Sequence, residues 1–267
     1  MVNSPCRRRV LLKGSALAIA YSVLTLPSAI HAQAPPDTIQ RVKKSIVAVG
    51  TLQKTRSPPF VFHGTGFVVG NGTLVATNAH VIKRTLATGA DPEQLAIAMP
   101  TGDALRSLAQ VVRVVSLDEE RDLALLRLTG PALPPLSLKN SDKVREGDQY
   151  LVTGYPIGAV LGLFPATHRA MVAAITPIAI PPANARQLNA QVIRRLESGP
   201  YRVFQLDATT YPGNSGSPLY DPLTGEVVGI VNMVFVKGTK EAALTDPSGI
   251  SYAIPATFLD ALLRRTE

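Results

Sequence analysis

The sequence predicts an all-β fold, a barrel or a sandwich, on three observations. Short runs rich in Val, Ile, Leu and Phe recur along the chain. Gly, Pro and Asn punctuate them at turn-like spacing. Regular helical crossovers, which a parallel α/β sheet needs, are missing between the runs.

Taken in order, Asp37 to Lys44 forms a short helix after Pro35-Pro36, and Ile46 to Gly50 is the first strand. Phe60 to Phe62 and Thr65 to Val69 follow, separated by His63-Gly64. Asn71-Gly72 then marks a hairpin turn before Leu74 to Thr77, because both residues tolerate the left-handed backbone such turns require. Further strands are expected at Leu95 to Met99, Ala109 to Val115, Ala124 to Leu128, Gln149 to Thr153, Ala170 to Thr176, Tyr201 to Leu206, Glu226 to Val236 and Ser251 to Ile254. Two later segments have helical spacing. Ala185 to Glu197 repeats Leu188, Val192 and Leu196, and Ala256 to Arg265 places Phe258, Leu259, Leu262 and Leu263 on one side after Pro255. The Pro/Leu-rich stretch Pro131 to Leu138 connects a first β half to a second.

Composition narrows the function class. With 46% apolar and 17% charged residues the chain is globular rather than a disordered polyelectrolyte. The net charge of +8 suggests an anionic partner until its position is considered. Arg7, Arg8, Arg9 and Lys13 carry four of those charges, and no acidic residue precedes Asp37. The remaining 23 basic and 19 acidic residues are too balanced and scattered to indicate nucleic-acid binding.

Residues 1–34 read as an export signal. Basic residues precede the apolar run Gly14 to Leu26, and Ala32-Gln33-Ala34 offers small residues for cleavage after Ala32 or Ala34. Arg8-Arg9-Val10-Leu11-Leu12-Lys13 resembles the twin-arginine export motif, with Leu11 where phenylalanine is usual. The resemblance implies a bacterial protein that is periplasmic or secreted, with no stable membrane partner after cleavage. The apolar run is shorter than the ~20 residues of a spanning helix. Cys6, the only cysteine, lies inside this segment, so residues 35–267 carry no disulfide, thiol nucleophile or cysteine metal site.

The candidate chemistry centres on Tyr211-Pro212-Gly213-Asn214-Ser215-Gly216-Ser217-Pro218-Leu219. Glycines on both sides of Ser215 permit a tight bend that exposes a hydroxyl and turns successive N–H groups toward one point. The same residues also suit an ordinary turn. A base and a carboxylate decide between these readings. His80 ends the run Leu74 to Ala79, and Asp122 stands directly before Leu123 to Leu128. A carboxylate buried there needs donors, and an imidazole N–H is one. Asp118, Glu119 and Glu120 lack that apolar context.

The order His80, Asp122, Ser215, with separations of 42 and 93 residues, excludes an α/β-hydrolase triad, which places its histidine last. All four histidines, His31, His63, His80 and His168, precede Ser215. No His-Glu-x-x-His metal motif is present.

From about Asp37 to Ile254 the chain resembles the HtrA-type branch of trypsin-like serine peptidases. The matching pieces are Gly64-Thr65-Gly66-Phe67, Thr77-Asn78-Ala79-His80-Val81, Asp122-Leu123-Ala124-Leu125-Leu126, Gly154-Tyr155-Pro156-Ile157-Gly158, Gln205-Leu206-Asp207-Ala208, Pro212-Gly213-Asn214-Ser215-Gly216 and Ile250-Ser251-Tyr252-Ala253-Ile254-Pro255. The resemblance implies a chymotrypsin-like fold of two six-stranded antiparallel β-barrels, at about 45–130 and 139–255, with a C-terminal helix at 256–265. It implies a serine endopeptidase acting on protein or peptide substrates without cofactor or metal. His80 is then the base, Asp122 its orienting partner and Ser215 the nucleophile, with the Gly213 and Ser215 N–H groups as oxyanion hole. Thr209, Thr210, Val231, Asn232 and Val234 would line an uncharged pocket suited to small or medium apolar residues. Two departures stand out. Ser217 replaces a frequent glycine, and the family's C-terminal PDZ domain is not found after the last helix, so its peptide-regulated activity and typical oligomer are not carried over. Asn214 cannot make the ion pair of trypsin zymogens, so no activation by N-terminal insertion is expected. The alternative function on the same fold is a catalytically silent, chaperone-like peptide binder.

Overall fold

A computed structural model of the chain describes residues 35–83, 86–100, 107–156, 162–177, 201–208, 211–232 and 250–266. After helix α1 (Pro35–Lys43), six strands follow: β1 (Ile46–Leu52), β2 (Phe60–Val69), β3 (Leu74–Asn78), β4 (Gln94–Pro100), β5 (Ser107–Asp118) and β6 (Leu123–Leu128). They close into an antiparallel barrel in the order β1-β2-β3-β6-β5-β4. A second set, β7 (Gln149–Gly154), β8 (Ala166–Pro177), β9 (Arg202–Asp207), β10 (Pro218–Tyr220), β11 (Val227–Asn232) and β12 (Ile250–Pro255), closes in the order β10-β11-β12-β9-β8-β7. A one-turn helix α2 (Ala79–Ile82) follows β3, and α3 (Ala256–Arg264) follows β12. The all-β prediction resolves as two barrels, not a sandwich.

Alternation along the strands explains both cores. In β6, Ala124 and Leu126 point into the first barrel with Val47, Val49, Val68 and Val75. Leu123 and Leu125 point the other way, into a layer shared with Tyr155, Tyr220 and Ile230 of the second barrel. Strands buried on both faces read as continuous apolar runs, which is why β1 and β6 show so little polar interruption. The inward face of the second barrel comes from Val152, Ala170, Val172, Leu206, Leu219, Val231 and Ala253.

Several elements differ from expectation. Phe60 to Phe62 and Thr65 to Val69 form one strand with a bulge at His63, because the register against β1 passes from Val49–Gly64 directly to Gly50–Phe62 and leaves His63 as the extra residue. The turn after β2 uses Gly70 as well as Gly72 in the left-handed region, and Asn71 Oδ1 accepts from the Thr73 N–H and hydroxyl. β10 is a strand of three residues, too short to show as a periodic run. The expected helix at Ala185 to Glu197 lies outside the described residues. In α3 the buried side is Ala256, Leu259, Leu262 and Leu263. Phe258 is only half-buried and packs at the edge, against Tyr201 with ring centroids 5.2 Å apart.

Candidate active site

The register between β3 and β6 brings His80 and Asp122 together. Asn78 pairs with Leu123, so the residues just beyond those positions, on α2 and before β6, meet at one end of the barrel. The Asp122 carbonyl accepts from the Ala79 N–H (3.1 Å) and from Asn78 Nδ2 (3.0 Å). Its carboxylate accepts from the His80 N–H on Oδ1 (2.7 Å) and meets His80 Nδ1 on Oδ2 (2.5 Å). An ionised carboxylate only accepts, so Nδ1 carries the proton and Nε2 is the nitrogen left to act as base. Asp122 has φ of 54°, and no other described non-glycine residue has positive φ. This left-handed conformation costs energy for most residues and is best tolerated by Asp and Asn. The bonds to both ends of the residue hold it there.

Ser215 sits in the loop between β9 and β10, 7% exposed. Its carbonyl accepts from the Thr65 N–H at 2.9 Å, across the two barrels. Gly64, just before Thr65, separates Ser215 from Val81, the neighbour of His80. A Cβ on Gly64 would lie 2.7 Å from Val81 Cγ2 and 3.1 Å from the Ser215 carbonyl oxygen. Hence a glycine is needed for the segments of His80 and Ser215 to approach as they do.

Tyr211 to Asn214 forms a type II turn. The Asn214 N–H reaches the Tyr211 carbonyl at 3.0 Å, Pro212 occupies the second position, and Gly213 has φ of 105° in the third. A side chain at Gly213 would strike the Tyr155 carbonyl oxygen, 2.3 Å from its Cβ position. The edge of the Phe62 ring closes the other side at 2.9 Å. On the far side of Ser215, the Gly216 N–H bonds the Val231 carbonyl (2.9 Å), and Gly216 has φ of 88°. The loop thus bends at two glycines with Ser215 between them.

A model described as trypsin-like peptidase domain matches residues 64–230. The chain belongs to the trypsin-like peptidase family. It is 30% identical over 239 residues to mitochondrial serine protease HTRA2 of Bos taurus, covering 86% of this chain and 43% of that protein. It is 32% identical over 194 residues to a probable periplasmic serine endoprotease DegP-like of Marinomonas sp. (strain MWYL1), covering 72% and 33%. The solved structure of HtrA-type protease AlgW with tripeptide aligns at a TM-score of 0.60 and 23% identity, over 86% of this chain and 62% of that one, a likeness of fold. The chain spans less than half the length of these curated relatives.

In this family member the expected pocket residues separate. Val231 is buried in the core of the second barrel. Asn232 is fully buried, and its Nδ2 donates to Asp122 Oδ2 at 2.7 Å. Thr209, Thr210 and Val234 lie outside the described residues. His168, on β8, shares the inward face with Ala170 and Val172 and stands beside Tyr211, ring centroids 6.3 Å apart. Burial lowers its pKa, so the neutral form is favoured. Sequence reasoning did not find the bond of Asn232 to Asp122, or the contacts of Tyr155, Phe62 and Thr65 with the Ser215 loop. The one available signal was a polar Asn ending the apolar run Val227 to Val231.

Proposed function

We propose that the chain is a serine endopeptidase in which His80, Asp122 and Ser215 carry acyl transfer. The observation that carries this reading is the His80 Nδ1 to Asp122 Oδ2 bond at 2.5 Å, because it selects the tautomer whose free Nε2 can take a proton. His80 accepts the Ser215 proton as Ser215 Oγ attacks the scissile carbonyl. The carbonyl oxygen becomes an oxyanion stabilised by the N–H groups of Gly213 and Ser215. His80 then protonates the leaving amine, and a water activated by His80 hydrolyses the acyl-enzyme. Asp122 stabilises the imidazolium throughout.

The substrate class follows from uncharged surroundings. Val231 belongs to the core of the second barrel and is left out of the pocket. The remaining proposed lining, Thr209, Thr210 and Val234, carries no charge, which supports cleavage after small or medium apolar residues of proteins or peptides. Asn232 is left out of that pocket because its amide is engaged by Asp122. The DegP-like relatives are named periplasmic, and residues 1–34 have the pattern of an export signal. Both support a periplasmic or secreted protein.

Labelling with a fluorophosphonate probe tests the reading. The expected result is covalent modification of Ser215 that disappears in Ser215→Ala and His80→Ala, with casein hydrolysed alongside. Folded protein that takes no label and leaves casein intact overturns it.

A further inference from the structure

Thr65 makes four hydrogen bonds around the nucleophile loop and contributes nothing to its surface. It is 0% exposed, on β2 of the first barrel. Its N–H reaches the Ser215 carbonyl at 2.9 Å, and its own carbonyl accepts from Thr77 Oγ1 at 2.7 Å. Its hydroxyl accepts from the Tyr155 N–H at 3.0 Å and lies 2.7 Å from the Gly213 carbonyl oxygen. A hydroxyl has one proton to give. Tyr155 takes up an acceptor lone pair, so the proton goes to Gly213.

That bond acts on a particular peptide unit. The Gly213 carbonyl and the Asn214 N–H belong to the same plane, and the N–H is already bonded to the Tyr211 carbonyl. Thr65 therefore ties down the second end of the Gly213–Asn214 peptide. The two peptides flanking it carry the Gly213 and Ser215 N–H groups. Donors aimed before reaction are worth far more than donors that must reorganise during it.

We propose that Thr65 is a positioning residue that locks the oxyanion turn from the opposite barrel, a role resting on the serine-peptidase reading above. Its hydroxyl touches neither substrate nor reacting atoms. It holds the orientation of the donors that do.

The test compares Thr65→Val, which keeps the shape and removes the donor, with Thr65→Ser, which keeps the donor. Kinetics use a fluorogenic peptide with valine before the scissile bond. In Thr65→Val, kcat is expected to fall roughly 10- to 100-fold, less than the ~10²- to 10³-fold lost on deleting an oxyanion donor outright, while KM changes little. Thr65→Ser is expected to stay within about threefold of the parent, since it retains the hydroxyl. Amide hydrogen exchange is read in parallel. Exchange at Asn214 should rise by roughly tenfold in Thr65→Val, the equivalent of one lost hydrogen bond, and return in Thr65→Ser. Should Thr65→Val fail to fold, Thr65→Ala removes the same donor without adding volume. An unchanged Asn214 exchange rate, or an equal kcat loss in Thr65→Ser, overturns the proposal. An inactive parent chain would count against the peptidase reading alone, because the exchange measurement reads the lock without turnover.

Discussion

The Asn232 amide donates to Asp122 Oδ2 at 2.7 Å, the oxygen that also faces His80 Nδ1. The Asp122 carboxylate is thus held by three donors, two side chains and the His80 N–H. A hydrogen bond to a charged group contributes about 1.5–3 kcal/mol, so Asn232→Ala is expected to lower kcat/KM by roughly 10- to 100-fold. A peptide library with varied residues before the scissile bond should show the same ranking in parent and variant. A changed ranking with preserved kcat would instead return Asn232 to the substrate pocket.

Arg121 immediately precedes the left-handed Asp122 and lies between two aromatic rings, 5.6 Å from Tyr201 and 4.9 Å from Phe258. Its Nη1 also bonds Asp118 at 3.0 Å. The C-terminal helix thereby grips the chain next to the carboxylate. Each cation–π contact contributes ~0.5–2 kcal/mol, so Arg121→Ala is expected to destabilise the fold by about 1–3 kcal/mol. Thermal melting reads this as a fall of about 2–4 °C per kcal/mol. Arg121→Lys keeps the charge but loses the planar stack, and should recover less than half of the loss. An unchanged melting temperature in Arg121→Ala refutes the grip.

Gly154 and Ser217 are expected to behave as a coupled pair. A Cβ on Gly154 would lie 2.0 Å from Ser217 Oγ, with Thr65 Oγ1 at 3.0 Å and Asn214 Oδ1 at 3.1 Å. Gly154→Ala should cost ~1–3 kcal/mol by overpacking. Adding Ser217→Gly removes the nearest atom and should restore part of it, leaving the longer contacts with Thr65 and Asn214. Urea denaturation of both single variants and the double closes the cycle. Additive losses would show that the two sites do not touch in solution.

Glu93 gives the first barrel an acid-sensitive tie. Hydrogen bonds from the Thr51 hydroxyl and Arg56 hold its pKa down to about 2, from an ordinary 4.5. A carboxyl with a depressed folded-state pKa stabilises fully above its unfolded value, and that contribution is lost as pH falls from 4.5 toward 2. Urea midpoints measured at pH 3 and pH 6 should therefore differ less in Glu93→Gln than in the parent. An equal difference in both proteins would assign the acid loss to other carboxyls.

The fold class was legible because it rests on local signals. Apolar runs of strand length, glycine and asparagine turns and the lack of helical crossovers all act over a few residues. Ser217 filling the space over Gly154 was half visible, as a serine in a glycine position, but not what it fills. Likewise, the glycines around Ser215 indicated a bend, while the type II geometry of the turn and its contact with Tyr155 needed coordinates.

By itself, then, the sequence determined the β architecture, the order His80, Asp122, Ser215 and the exclusion of a hydrolase elbow. Only the tertiary structure decided which distant groups hold them. Thr65 and Gly213 are 148 residues apart, and Asn232 and Asp122 are 110 apart. Those pairs meet because two barrels close on themselves and pack through Leu123, Leu125, Tyr155 and Ile230. Strand alternation predicts which face a residue takes, but a partner across a barrel depends on register and closure, which no local pattern encodes.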